Sequence, residues 1–129
     1  CATAKQLELE TTGHAARGTS GSPSPSTSNL YLEAGDISVE ALLKDVGSGL
    51  LVTEMIGMGV NPVTGDYSRG ASGFAIVDGA LAYPVSGLTV AGNLKDMFLA
   101  MTPADDLEFR YGTNAPTVRI DGMTVAGDA

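Results

Sequence analysis

His14 and Cys1 are the only histidine and cysteine in the chain. An imidazole titrates near neutral pH, which makes a histidine a ready general base or metal ligand. Zinc sites draw three or four ligands from His, Cys and carboxylates. One His, one Cys and no HExxH pair fall short of that set, so His14 reads first as a hydrogen-bonded loop residue. Cys1 needs a base or a pKa-lowering environment to be a nucleophile. Without a second His it reads as an inert thiol. Glu54, Glu108 and Asp121 fall on separate expected strands, and a catalytic carboxylate pair needs a mutual geometry that this spacing does not supply. No catalytic residue and no metal ligand is therefore assigned.

The most distinctive chemistry lies in the run Gly57 to Gly73, which holds five glycines, Pro62 and several small polar residues. Glycine has no Cβ, so such a run lets another backbone come close. Its exposed amides and the side chains of Asn, Thr, Asp, Ser and Arg can align an extended peptide. The candidate peptide- or cleft-binding residues are Asn61, Thr64, Gly65, Asp66, Ser68, Arg69 and Gly70. A turn cluster at a barrel rim is the competing reading. A phosphate loop is excluded, because no Lys-Ser or Lys-Thr stands at the required spacing.

The elements that must position this run are short. Ala2 to Glu10 is helix-favouring. Thr19 to Ser28, TSGSPSPSTS, competes for backbone hydrogen bonds and lacks donors at its prolines, so a flexible surface loop is expected over 18–28. Asn29 to Glu33 alternates like a strand. Ser38 caps a helix whose apolar face is Val39, Leu42, Leu43 and Val46, with Gly47 as its stop. Leu50 to Ile56 is a buried strand. Gly73 to Val77 and Ala80 to Val85 flank Asp78-Gly79, a two-residue hairpin signal. Leu88 to Ala91 is a further strand. Asn93 caps a second helix with Leu94, Met97, Phe98 and Met101 on one face, and Pro103 follows its end. Met97 and Met101 read as core packing. Leu107 to Tyr111 alternates, and Thr117 to Ile120 pairs with Met123 to Val125 around Asp121-Gly122. The expected fold is mainly β (α+β), an antiparallel barrel-like or sandwich domain with two short helices.

Composition agrees. The chain has 129 residues, 17 Gly, 6 Pro and 43% hydrophobic residues, as in one turn-rich domain able to build a core without disulfides. Seven basic against fifteen acidic residues give a formal charge of −8. That charge argues against nucleic-acid and anionic-membrane partners, because both need Lys and Arg. No apolar run approaches the roughly 18 residues of a membrane helix. A single Cys points to a reducing compartment. The first residue is Cys rather than Met, as expected of a processed start or a piece of a longer protein.

The string Val60-Asn61-Pro62-Val63-Thr64-Gly65-Asp66-Tyr67-Ser68-Arg69-Gly70-Ala71-Ser72-Gly73-Phe74 resembles the C-terminal region of the TldD/PmbA family, historically labelled as modulating DNA gyrase. Gly13-His14-Ala15, Asn29-Leu30-Tyr31, Gly49 to Glu54, Tyr83-Pro84-Val85, Ala91-Gly92-Asn93-Leu94, Asp106-Leu107-Glu108 and Ile120-Asp121-Gly122-Met123 extend the match over nearly the whole chain. The resemblance implies a C-terminal β-rich domain, residues 1–129, of a cytoplasmic bacterial protein that pairs with a TldD subunit in a heterodimeric metalloprotease of unfolded or extended peptides. In that family the TldD subunit carries an HExxxH helix and a Cys near its C-terminus. No Cys lies between Leu107 and Gly127, which favours the PmbA (TldE) branch. The chain is then a non-catalytic scaffold and cleft domain. No cofactor is expected on it, zinc is expected on a TldD-like partner, and the dimer forms with that partner or with a second copy. Two alternatives stand beside this. One is a metallopeptidase whose zinc ligands lie upstream. The other is a non-proteolytic protein that binds gyrase.

Overall fold

A computed structural model describes residues 2–127; Cys1, read above as an inert thiol, lies outside them. The chain divides into two compact units, residues 1–32 with 109–114, and residues 33–108 with 115–129.

The first unit holds the helix α1 (Ala2–Gln6) and two small ladders. Strands β1 (Ala15–Ala16) and β2 (Ser24–Pro25) pair antiparallel, Ala15 opposite Pro25. Part of the Ser/Pro-rich stretch 18–28 is thus an exposed ladder rather than plain loop. Strand β3 (Leu30–Tyr31) runs parallel to β8 (Thr113–Asn114). The expected strand Leu107 to Tyr111 does not form. Instead, the Asn114 Oδ1 accepts from the amides of Arg110 and Tyr111 at 2.8 and 2.9 Å, and its Nδ2 donates to the Tyr111 carbonyl. A side chain that supplies both groups gives the backbone a turn in place of a ladder. Tyr31 and Phe109 meet edge to face, with centroids 5.2 Å apart.

The second unit is built on a four-stranded antiparallel sheet, order β10-β6-β5-β4, from β4 (Gly49–Ile56), β5 (Asp66–Val77), β6 (Ala80–Asn93) and β10 (Thr124–Ala126). The mainly β, α+β class is as expected. Among the described residues the sheet is open, because β10 meets only Thr89 to Ala91 of β6 and no strand pair joins β10 to β4. Asp78 and Gly79 turn β5 into β6 with φ of 51° and 75°, the positive pair that a tight hairpin needs.

Helix α2 (Val39–Val46) follows its signals. The Ser38 hydroxyl accepts from the Ala41 amide at 3.2 Å, and Gly47 ends the helix at φ 66°. Leu42 of α2 is buried, as are Ala71, Ile76, Leu88, Val90 and Ala104. Gly79 at the hairpin tip donates its amide to the Gly47 carbonyl at 2.7 Å. Arg119 bonds Asp45 of α2 and, at 2.9 Å, Asp121. These two carboxylates, Asp121 foremost, hold the guanidinium above its usual range.

Further elements depart from expectation. Three helices form among the described residues rather than two, α1 being the extra one. Helix α3 (Leu94–Leu99) is only six residues long, and Met101 opens the strand β7 (Met101–Pro103). Phe98 of its apolar stripe is 63% exposed. The expected hairpin around Asp121-Gly122 also fails. Strand β9 (Val118–Ile120) pairs with β7, while β10 pairs with β6. Gly122 has the positive φ of a turn, 76°, but the strands on either side find better partners elsewhere.

Candidate functional site

The run Gly57 to Gly73 is not one loop. Strand β5 begins at Asp66, so Asp66, Ser68, Arg69 and Gly70 are strand residues, and only Asn61, Thr64 and Gly65 lie in the turn. The β4–β5 hairpin continues past Ile56. The Ser68 amide donates to the Gly59 carbonyl at 2.7 Å, Val60 bridges Tyr67, and the Asn61 amide donates to the Asp66 carbonyl at 2.8 Å. A Cβ on Gly59 would overlap the Ser68 carbonyl. Glycine is therefore there to let two strands touch rather than to make a turn.

The tip is heavily bonded. The Gly65 amide donates to the Asn61 carbonyl at 2.8 Å. The Asn61 Oδ1 accepts from the amides of Val63 and Thr64 at 3.0 and 3.3 Å. The Thr64 hydroxyl donates to Asp66 Oδ2 at 2.6 Å. Gly65 sits at φ 81°.

Within this geometry the seven candidates separate. Asn61, Asp66 and Ser68 line one open groove of about 330 Å³, together with Met58, Gly59, Val60 and Tyr67. Thr64 and Gly65 lie in the turn and are not among its lining residues. Gly70 shares the face of Ser68, two residues on, where it lies against Ile56 of β4. Arg69 faces the other way, opposite the buried Val90. Its Nε is buried and has no hydrogen-bond partner among the described residues.

Sequence reasoning missed the apolar part of the groove. Met58 is 99% exposed and Val60 46%, and the Tyr67 hydroxyl donates to the Met55 sulfur at 3.2 Å. Asn93, read only as a helix cap, also reaches this tip. The alternation of Tyr67 with Ser68 was available as a signal, but the surrounding glycines hid it.

Other sequence candidates stay apart. His14 is exposed, and its Nδ1 lies 2.9 Å from the Thr12 hydroxyl. Glu54 meets Ser72 at 3.4 Å, and Asp121 meets Arg119. No three His, Cys, Asp or Glu side chains among the described residues converge into a metal cage, so these residues do not fit a zinc ion. A separate apolar cavity of about 300 Å³ lies between α2 and the sheet, lined by Leu42, Val46, Leu51, Ile76, Val90 and Met123 among others. No helix among the described residues is long and apolar enough to cross a membrane.

An open antiparallel sheet with a glycine-tightened hairpin and a groove beside its tip is an architecture with known relatives. Residues 1–127 match the model of the PmbA/TldA metallopeptidase C-terminal domain, and the chain belongs to that family. It is 42% identical to the metalloprotease PmbA of Escherichia coli O157:H7 over 96% of this chain and 26% of that protein. A PmbA homologue from Haemophilus influenzae is 41% identical over the same shares, 96% and 26%. The crystal structure of a Thermotoga maritima protein described as a proposed modulator of a DNA gyrase superposes with a TM-score of 0.79 at 33% identity, over 96% of this chain and 28% of that one. TldE from Thermococcus kodakarensis gives a TM-score of 0.81 at 24% identity, over 96% of this chain and 29% of that one, a likeness of fold. The chain thus spans about a quarter of the length of the curated relatives it matches.

Proposed function

We propose that the chain is the C-terminal region of a PmbA/TldE-like subunit in a TldD/TldE-type heterodimeric metalloprotease, acting in the cytoplasm on unfolded or extended peptides. In this reading the region is a non-catalytic scaffold that lines the peptide cleft, and the zinc is carried by a TldD-like partner. The observation that carries it is 42% identity to a PmbA metalloprotease across 96% of the chain.

The site supports a cleft-lining role. Strand β4 stands at the end of the sheet order, and extended peptides bind by adding a strand to such an edge. The groove by Asn61, Asp66 and Ser68 combines carboxylate and amide groups with the apolar surfaces of Met58 and Val60. Those are the groups that would hold a peptide's backbone and one side chain. The formal charge of −8 supports the absence of nucleic acid and anionic membrane from the partner set.

The test uses full-length protein, alone and with its TldD-like partner, assayed for bound zinc and for cleavage of an unstructured peptide. Zinc and cleavage should require the partner. Stoichiometric zinc and cleavage in the isolated subunit would sink the assignment. Asp66→Ala should slow cleavage by the pair several-fold with little loss of thermal stability. Equal losses of both would make the tip a structural turn only.

A further inference from the structure

The carboxamide of Asn93 does two jobs at once. Asn93 is the last residue of β6 and stands opposite Asp66, the first residue of β5. Its Oδ1 accepts from the Lys95 amide at 3.1 Å, which caps α3. Its Nδ2 donates to the Thr64 carbonyl at 3.0 Å and, at 3.4 Å, to Asp66 Oδ1. The next residue continues the attachment, because the Leu94 amide donates to the Gly65 carbonyl at 2.7 Å. The orientation of the amide is fixed by its neighbours. A backbone N–H at Lys95 requires the oxygen, and a carbonyl at Thr64 requires the nitrogen.

A cap alone does not require asparagine. Ser, Thr and Asp cap helices as well, yet none of them offers an acceptor and an N–H donor at this reach. Gly65 fits the same requirement from the other side, since a Cβ there would lie 3.0 Å from the Asn93 Oδ1. We propose that Asn93 is the positioning residue of the groove: its side chain latches the 61–66 tip to the start of α3, so that the groove edge formed by Asn61 and Asp66 is set before a peptide arrives. A preset edge spares the peptide the entropy of ordering it. The proposal rests on the reading of this groove as part of a peptide cleft.

Asn93→Asp separates the two jobs. Aspartate keeps the acceptor for Lys95, loses the donor to Thr64 and sets a second carboxylate beside Asp66. Asn93→Ser also keeps a cap and is too short to reach the tip. Both variants are made in the full-length protein and assayed with its TldD-like partner on an unstructured fluorogenic peptide. The expected result has three parts. The Tm stays close to the parent's. The amides of Gly65 and Asp66 exchange with solvent about tenfold faster, as befits the loss of one or two hydrogen bonds. The KM rises several-fold with kcat unchanged. Unchanged exchange at 61–66 in both variants overturns the latch. A large fall in Tm with faster exchange across the whole sheet also overturns it, since Asn93 would then be structural only. Faster exchange confined to the tip, with KM and kcat both unchanged, keeps the latch and refutes the peptide-groove reading on which its role in binding depends.

Discussion

Gly65 carries two constraints in one residue. Its φ of 81° is one that side chains adopt at a cost, and a Cβ would press on Asn93. Gly65→Ala should therefore destabilise the full-length protein by about 1–2 kcal/mol, seen as a lower urea midpoint at unchanged m-value. Gly21→Ala is the control, since nothing lies within 4 Å of a Cβ there. Asp106 makes a prediction in pH. Burial pushes its carboxyl up, but the Thr117 hydroxyl at 2.7 Å and amide at 2.8 Å outweigh this and hold it below the ordinary aspartate value. A carboxylate more acidic in the folded state stabilises the fold above its unfolded pKa and loses that stabilisation as pH falls through the folded one. Asp106→Asn should accordingly lower Tm at neutral pH, and the gap from the parent should close below about pH 4. A gap that persisted in acid would show that the charge of Asp106 is not what holds Thr117.

Among the elements, the β5–β6 hairpin dominates, with strands of 12 and 14 residues. Glycine permits its contact with β4. A Cβ on Gly73 would overlap the Leu51 carbonyl, so Gly73→Ala should cost about 1–3 kcal/mol as the strands are forced apart, read from the urea midpoint. How far the sequence revealed these elements depended on whether the signal was local. Helix α2 was legible because its cap, apolar face and glycine stop all lie within ten residues. The Asp78-Gly79 turn was legible for the same reason. The start of β5 was not, because Gly59, Gly70 and Gly73 look like turn markers and two of them instead admit carbonyls from a neighbouring strand. Strands β9 and β10 were found in outline but paired wrongly, since partner choice is made across the fold. At the site, the polar residues Asn61, Asp66 and Ser68 were visible by type. The second role of Asn93 was hidden, since Asp66 stands 27 positions away and the helix-cap signal already accounted for that residue.

For the whole molecule, family membership over residues 1–127 marks the chain as a C-terminal domain of that family. It is a region about a quarter as long as its relatives, with apolar side chains left at the surface. Phe74, Val77, Leu81 and Tyr83 of the hairpin are each between 39% and 53% exposed. The outer edge of β6 from Ala80 to Leu88 has no strand partner among the described residues, since β10 begins its pairing only at Thr89. A bare, apolar strand edge is a template on which other chains can grow. Pro84 stands in the middle of it, exposed, and brings no amide to the stretch. The expected consequence is colloidal: a proline in this stretch should hinder edge-to-edge stacking of refolding chains. Pro84→Thr should leave the folded protein's Tm nearly unchanged yet raise light scattering during refolding from urea. Equal scattering by the two proteins would show that this edge needs no guard.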